Sequence, residues 1–184
     1  ERLTPEYTPD QLPPMDVAGR AARLRPLIAA AGCDALVVTN LTNVRYLTGF
    51  TGSAAILLVT ADELLFVSDG RYQTQSADQL SAAGVDARIE IVAAEPDAVV
   101  AAAAQAAGVL RLGLESQSVT WAQQRRWAGE LFPAGELVPA ESLVEDLRLV
   151  KDAGEAARIR SACAIADAAL ADVRGRLLEG PTEI

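Results

Sequence analysis

Two stretches of this 184-residue chain combine residue types that can do chemistry. The first, Asn43-Val44-Arg45-Tyr46-Leu47-Thr48-Gly49-Phe50-Thr51-Gly52-Ser53, puts an amide, a guanidinium, two aromatics and two glycines in what reads as a loop directly after a buried strand. Loops at strand ends are where sites are commonly built. Its Gly49-x-x-Gly52-Ser53 piece could cradle a phosphate, but a strand follows it instead of a helix N-terminus, and no P-loop lysine is present. The alternative is a turn whose glycines supply positive φ and whose Tyr46, Leu47 and Phe50 plug the sheet edge. The second stretch, Ser68-Asp69-Gly70-Arg71-Tyr72, sets a carboxylate at a strand end and an Arg-Tyr pair at a helix start. Asp69 either caps that helix beside an exposed Arg71 or acts as a nucleophile or metal ligand, with no second acidic residue at suitable local spacing.

Other candidates are weaker. Glu115 follows a strand, and Trp121 and Trp127, six residues apart, do not fall squarely on one helix face, so core packing and a partner surface are both open. Cys33 and Cys163 lie far apart among small apolar neighbours, as buried inert thiols do, and form neither a disulfide framework nor a zinc knuckle. The chain has no histidine, so it cannot complete a Ser-His-Asp triad, a Cys-His dyad or most zinc or iron sites.

Apolar residues make up 51% and charged residues 22%, which suits a folded chain with a real core. A net charge of −9 and the lack of a basic patch argue against nucleic acid and anionic membrane as partners. Arg20, Arg23 and Arg25 are spaced like the solvated face of one helix. No apolar run approaches the roughly 20 residues that span a bilayer, and cysteine usage fits a reduced, cytoplasmic compartment. Residues 1–15, polar and rich in proline, read as a poorly ordered extension and not as a signal peptide.

The elements that must position these residues alternate. Hydrophobic spacing predicts a helix over 17–31 with Asp16 as N-cap, a doubly buried strand over 35–39, turn chemistry at 40–43, and a hairpin of strands at 54–59 and 64–67. Helices over 71–83, 97–107 and 119–127 then alternate with strands over 88–92, 110–114 and 136–138, and a helical stretch follows Ala140. The expectation is an α/β fold, a mixed β-sheet flanked by helices on both faces. A long C-terminal helix then opens with the capping-box pattern Asp152-Ala153-Gly154-Glu155. Its stripe of Ile159, Cys163, Ala166, Leu170, Val173 and Leu177 must pack against something, and 150–152 reads as the junction to a second domain.

The two motifs, in this order and separation, resemble the N-terminal domain of the creatinase, prolidase and Xaa-Pro aminopeptidase family, which shows N-x-R-Y-L-T-G-F-x-G-S, a hairpin and then D-G-R-Y. Leu147-Arg148-Leu149-Val150-Lys151-Asp152 resembles the family's linker, Glu155, Ile159 and Arg160 the E-x-x-x-I-R that starts its catalytic domain, and Gly180-Pro181-Thr182-Glu183 the G-x-T-E that follows. The resemblance implies three parts: an extension at 1–15, an N-terminal domain at 16–148, and the linker with the first catalytic-domain helix at 149–184. It implies a parent hydrolase, an Xaa-Pro dipeptidase or aminopeptidase, that cleaves before proline in peptide substrates. That enzyme would use two divalent metals, manganese, cobalt or zinc, whose ligands would all lie after Ile184, leaving this fragment without cofactor or activity. The domain would shape the active-site mouth and the interface of a homodimer or higher homo-oligomer, with Asn43, Tyr46, Phe50, Arg71 and Tyr72 as the substrate-contacting residues, in trans across such a dimer. Creatinase-type hydrolysis of an amidine C–N bond, and a stand-alone ligand- or protein-binding module on the same fold, are the alternatives.

Overall fold

The computed structural model describes residues 12–180 and 182. The expectation for 1–15 therefore falls largely outside the described residues, as do Pro181 and Glu183 of the C-terminal motif and the Leu177 side chain. The described residues fall into two compact units, one formed by Val17–Val150 and the other by those before Val17 together with those from Lys151 onward.

Within Val17–Val150, six strands form one mixed sheet: β1 (Ala35–Val38), β2 (Ile56–Thr60), β3 (Leu64–Asp69), β4 (Arg88–Val92), β5 (Arg111–Glu115) and β6 (Glu136–Ala140), in the order β4-β3-β2-β1-β5-β6. The short Thr60–Glu63 turn makes β2 and β3 an antiparallel hairpin, with Ile56 opposite Val67. β2 is also antiparallel to β1, whereas β1–β5, β5–β6 and β3–β4 are parallel. Every strand but β2 thus runs the same way, and five carboxyl ends gather at one edge of the sheet.

Side chains of period two divide the core between the faces. Leu36, Val38, Leu57, Val59 and Phe66 meet α1 (Arg20–Ala30), α2 (Leu41–Thr48), α3 (Gln73–Ala82) and α6 (Leu143–Leu149) through Leu24, Ile28, Val44, Leu47, Leu80 and Val144. Val37, Leu58, Leu65, Leu112 and Leu114 pack on the other face against α4 (Pro96–Ala106) and the turn after α5 (Trp121–Arg126). This is the α/β architecture expected from the alternating pattern.

Several local expectations are corrected. α1 begins at Arg20 after Gly19, which makes no side-chain cap, so Asp16 is not its N-cap. Arg20 is not on a solvated face: it is buried, donates from Nη1 to the Tyr46 carbonyl at 2.8 Å and lies 4.1 Å from that ring's centre. Arg25 reaches the Thr60 carbonyl, which leaves Arg23 as the exposed member of the three. The spacing was helical, but α2 covers the side that the sequence assigned to water. The tryptophans separate as their six-residue offset allows, Trp127 being 3% exposed in the core and Trp121 77% exposed. Cys33 is buried and Cys163 is exposed.

In the other unit, α7 (Ala153–Leu178) starts with the expected capping box: Glu155 N donates to Asp152 Oδ1 at 2.8 Å, and Asp152 N to Glu155 Oε2 at 3.0 Å. Asp16 N donates to Asp152 Oδ2, and Arg158 Nη1 to the carbonyls of Pro13 and Gly154. Along α7, Ile159, Ile165, Leu170 and Val173 are exposed.

Candidate functional site

The first part of the first motif, Asn43–Thr48, is helical, not the loop its composition suggested, and only Gly49–Ser53 is irregular. Asn40 accepts the Thr42 N–H on its side chain as N-cap, and Gly49, at φ +75°, closes α2 by donating to the Arg45 carbonyl. The asparagine and glycine that read as turn residues are the start and stop of two helical turns. Thr48 Oγ1 donates back to the Val44 carbonyl and accepts the Phe50 N–H, so the chain leaves α2 in a fixed direction.

That direction buries most of the motif. Asn43 is fully enclosed, Phe50 nearly so, and Tyr46 is buried with its hydroxyl donating to the Leu147 carbonyl at 3.3 Å. Phe50 packs edge-on against Phe66, at 4.9 Å between ring centres, and against Tyr72, at 5.3 Å. Gly52 passes so close that a Cβ there would stand 2.2 Å from Phe50 Cζ and 2.8 Å from Tyr72 Cε1. Asn43 and Phe50 are thus both enclosed within Val17–Val150.

Asn43 is instead the centre of a polar cluster. Its Nδ2 donates to Glu115 Oε1 and to Glu145 Oε1, each at 2.6 Å, and its Oδ1 accepts from Arg148 Nη1 at 3.0 Å. Glu115 Oε2 accepts the backbone N–H groups of Thr39 and Asn40. Burial pushes the Glu115 carboxyl above the usual glutamate range; its bonds from Asn43, Asn40 and Thr39 pull it down, and the Glu145 charge pushes it up again. The sequence ranked Glu115 low, set Arg148 only in the linker motif and gave no sign of Glu145. The available signal was an acidic residue closing the otherwise apolar strand end Leu112-Gly113-Leu114-Glu115.

Arg71 and Tyr72 are brought together with Ser53 at the surface. Asp69 caps the 3₁₀ turn Gly70–Tyr72 by accepting the Arg71 N–H, and it grips the guanidinium with Nε at 2.9 Å and Nη2 at 2.7 Å. Those bonds hold the Asp69 carboxyl below the ordinary aspartate value. The Arg71 side chain remains 68% exposed. Tyr72 OH lies 2.7 Å from Ser53 Oγ and accepts the Ser53 N–H at 3.2 Å, which lowers the phenol's proton affinity. Thr51 is tied to Gln79 of α3 by reciprocal bonds of 2.9 Å.

Beside these groups, at the carboxyl ends of β1, β3 and β4, opens a cleft of about 460 Å³ lined by Thr39, Ser53, Ile56, Asp69, Pro96 and Asp97, among others. Burial raises the Asp97 carboxyl, and Arg126 bonds it at 3.2 Å. The surface can thus offer a guanidinium with unused N–H groups, a hydroxyl pair and a half-apolar recess. Among the described residues, no group of three or more His, Cys, Asp or Glu could hold a metal ion, so these residues do not fit a pair of divalent metals.

The chain belongs to the Creatinase/Prolidase N-terminal domain family, whose model matches residues 20–150. Over 100 residues it is 34% identical to the uncharacterized peptidase YqhT of Bacillus subtilis (strain 168), covering 54% of this chain and 27% of that protein. Among solved structures, it is similar to the N-terminal domain of the cytoplasmic peptidase PepQ from Mycobacterium tuberculosis H37Rv, with 41% identity, a TM-score of 0.64, and coverage of 71% of this chain and 99% of that one. The Xaa-Pro dipeptidase from Bacillus anthracis matches with 30% identity and a TM-score of 0.66 over 72% of this chain and 36% of its own. The chain thus spans 27% of the curated peptidase and about a third of that dipeptidase.

Proposed function

We propose that Val17–Val150 is the accessory domain of a cytoplasmic, proline-specific metallopeptidase, an Xaa-Pro dipeptidase or aminopeptidase, in which it shapes the mouth of the active site and the oligomer interface. The observation that carries this reading is the Asp69–Arg71–Tyr72–Ser53 surface on a domain of this family: a guanidinium held rigid by Asp69 keeps N–H groups free for a carboxylate or carbonyl of a peptide. Arg71 and Tyr72 contact the substrate, in trans where the enzyme is dimeric. Tyr46, Phe50 and Asn43 act as positioning residues, because they fix α2 and the chain that leads to Ser53. The divalent metals, manganese, cobalt or zinc, belong with a catalytic domain, and α7 is read as that domain's first helix. Its exposed Ile159, Leu170 and Val173 suit a surface that other residues cover.

The test uses the full-length protein with an Xaa-Pro dipeptide and a longer Xaa-Pro peptide in Mn²⁺, before and after chelation. Metal-dependent cleavage is expected, and Arg71→Ala should lower kcat/KM by about tenfold or more. Inertness of the wild type would leave a binding module on the same fold, while an unchanged kcat/KM in the variant would remove Arg71 from the site.

A further inference from the structure

Glu115 ends a central strand with its side chain enclosed, and its two oxygens have different partners. Oε2 accepts the N–H groups of Thr39 and Asn40, at 2.7 and 2.8 Å, with the Thr39 hydroxyl at 3.3 Å. Oε1 accepts from the Asn43 amide, whose nitrogen also reaches Glu145 Oε1 while its oxygen takes Arg148 Nη1. One buried amide therefore ties β5 to both ends of the short helix α6. The charged groups that face Glu115 are Glu145 and, through Asn43, Arg148, both from α6; the β1 end and α2 present the neutral donors Thr39, Asn40 and Asn43.

On Glu115 a proton has one place to enter. Oε2 is committed to two backbone N–H groups that cannot turn, so a proton on Glu115 goes to Oε1. A hydroxyl there still has a lone pair for the Asn43 N–H, but it is a poorer acceptor than a carboxylate and its own proton needs an acceptor. Turning the amide over lets Oδ1 accept from Glu115, but the –NH₂ then faces Arg148, and Glu145 loses its donor. Neutral Glu115 therefore favours the turned amide, at the expense of the present α6 contacts.

We propose that Glu115, Asn43 and Glu145 form a proton-operated latch: with Glu115 ionised, the Asn43 amide fastens α6 to the sheet, and with Glu115 protonated the amide turns to Glu115 and loosens α6. The burial that raises the Glu115 carboxyl brings this change above the range of ordinary glutamates. Val144 in the core and the bond from Tyr46 to Leu147 keep the loosened helix in place. The latch also predicts two effects of opposite sign, which a plain structural contact does not. Protonation relieves a buried charge, so global stability rises as pH falls through the Glu115 titration, while protection of α6 falls.

The experiment follows hydrogen exchange of α6, corrected for intrinsic rates, together with urea unfolding and the ¹³C carboxyl shift of Glu115 in the 184-residue chain. As Glu115 takes up its proton, α6 protection should drop about tenfold relative to α4, the size of one charge-assisted hydrogen bond. Glu115→Gln, an uncharged stand-in for the acid, should show the loosened α6 at every pH. Glu145→Ala, at a half-exposed position, should also loosen α6 and remove its pH response, so it carries the test if the Glu115 variant does not fold. Constant α6 protection through the Glu115 titration would overturn the latch, as would a response that persists in either variant.

Discussion

The chain after β1 and the chain after β3 bring similar chemistry to the same edge of the sheet, carboxylates gripped by nitrogen donors, but one cluster is enclosed and the other faces water. Around Asn43 the amide, Glu115 and the backbone donors close on one another between β5, α2 and α6. Around Asp69 the carboxylate holds an arginine that stays exposed. Water competes for every bond of the second cluster and has far less access to those of the first, so similar contacts differ in what they can do. The enclosed cluster governs stability and the placement of α6, and the open one is free to meet another molecule.

The sharpest way to break this comparison is to remove the buried ring that supports the open cluster. Phe50→Ala should destabilise Val17–Val150 by about 3–5 kcal/mol in urea unfolding and disorder the Ser53–Tyr72 pair that its ring supports. Next comes Asn43→Leu, which leaves two carboxylates without their donor and should cost about 2–3 kcal/mol; a loss near zero would mean that water reaches the cluster after all. The Glu115→Gln difference profile should be smaller and pH-dependent. Because the folded carboxyl binds its proton more tightly than the unfolded one, wild-type stability falls as pH climbs from the ordinary 4.5 through the raised value. The variant lacks that slope, and a difference of opposite sign would contradict the enclosure of Glu115. Smallest of all, Asp69→Asn should barely move the unfolding midpoint at neutral pH. Its lowered carboxyl contributes above the unfolded value and loses that contribution as pH falls through the folded one, so the difference from wild type should vanish in acid.

Much of the fold was legible because its signals are local. The runs Ala35-Leu36-Val37-Val38 and Ile56-Leu57-Leu58-Val59 are too apolar and β-branched for anything but buried strands, and the short stretch between β2 and β3 leaves room only for a hairpin. α2 was hidden by its own ends, since Asn40 and Gly49 look the same whether they make a turn or bound a two-turn helix. For the candidate site, Asp69, Arg71 and Tyr72 could be read together because three adjacent positions fix their geometry. Asn43, Glu115 and Glu145 could not, since their partnership exists only after β5 pairs with β1 and α6 folds back over α2.

The sequence by itself determined the alternation of strands and helices, the hairpin, the cap at Asp69 and the capping box of α7, all of which follow from hydrophobic period and from bonds between residues a few positions apart. Tertiary structure decided which polar residues face water. It enclosed Arg20, Asn43 and Glu115, exposed Arg71, and sent Trp127 inward while Trp121 stayed outside. The physical reason is that burial is set by what lies across from a side chain, and that neighbour can come from any part of the chain once the sheet has formed.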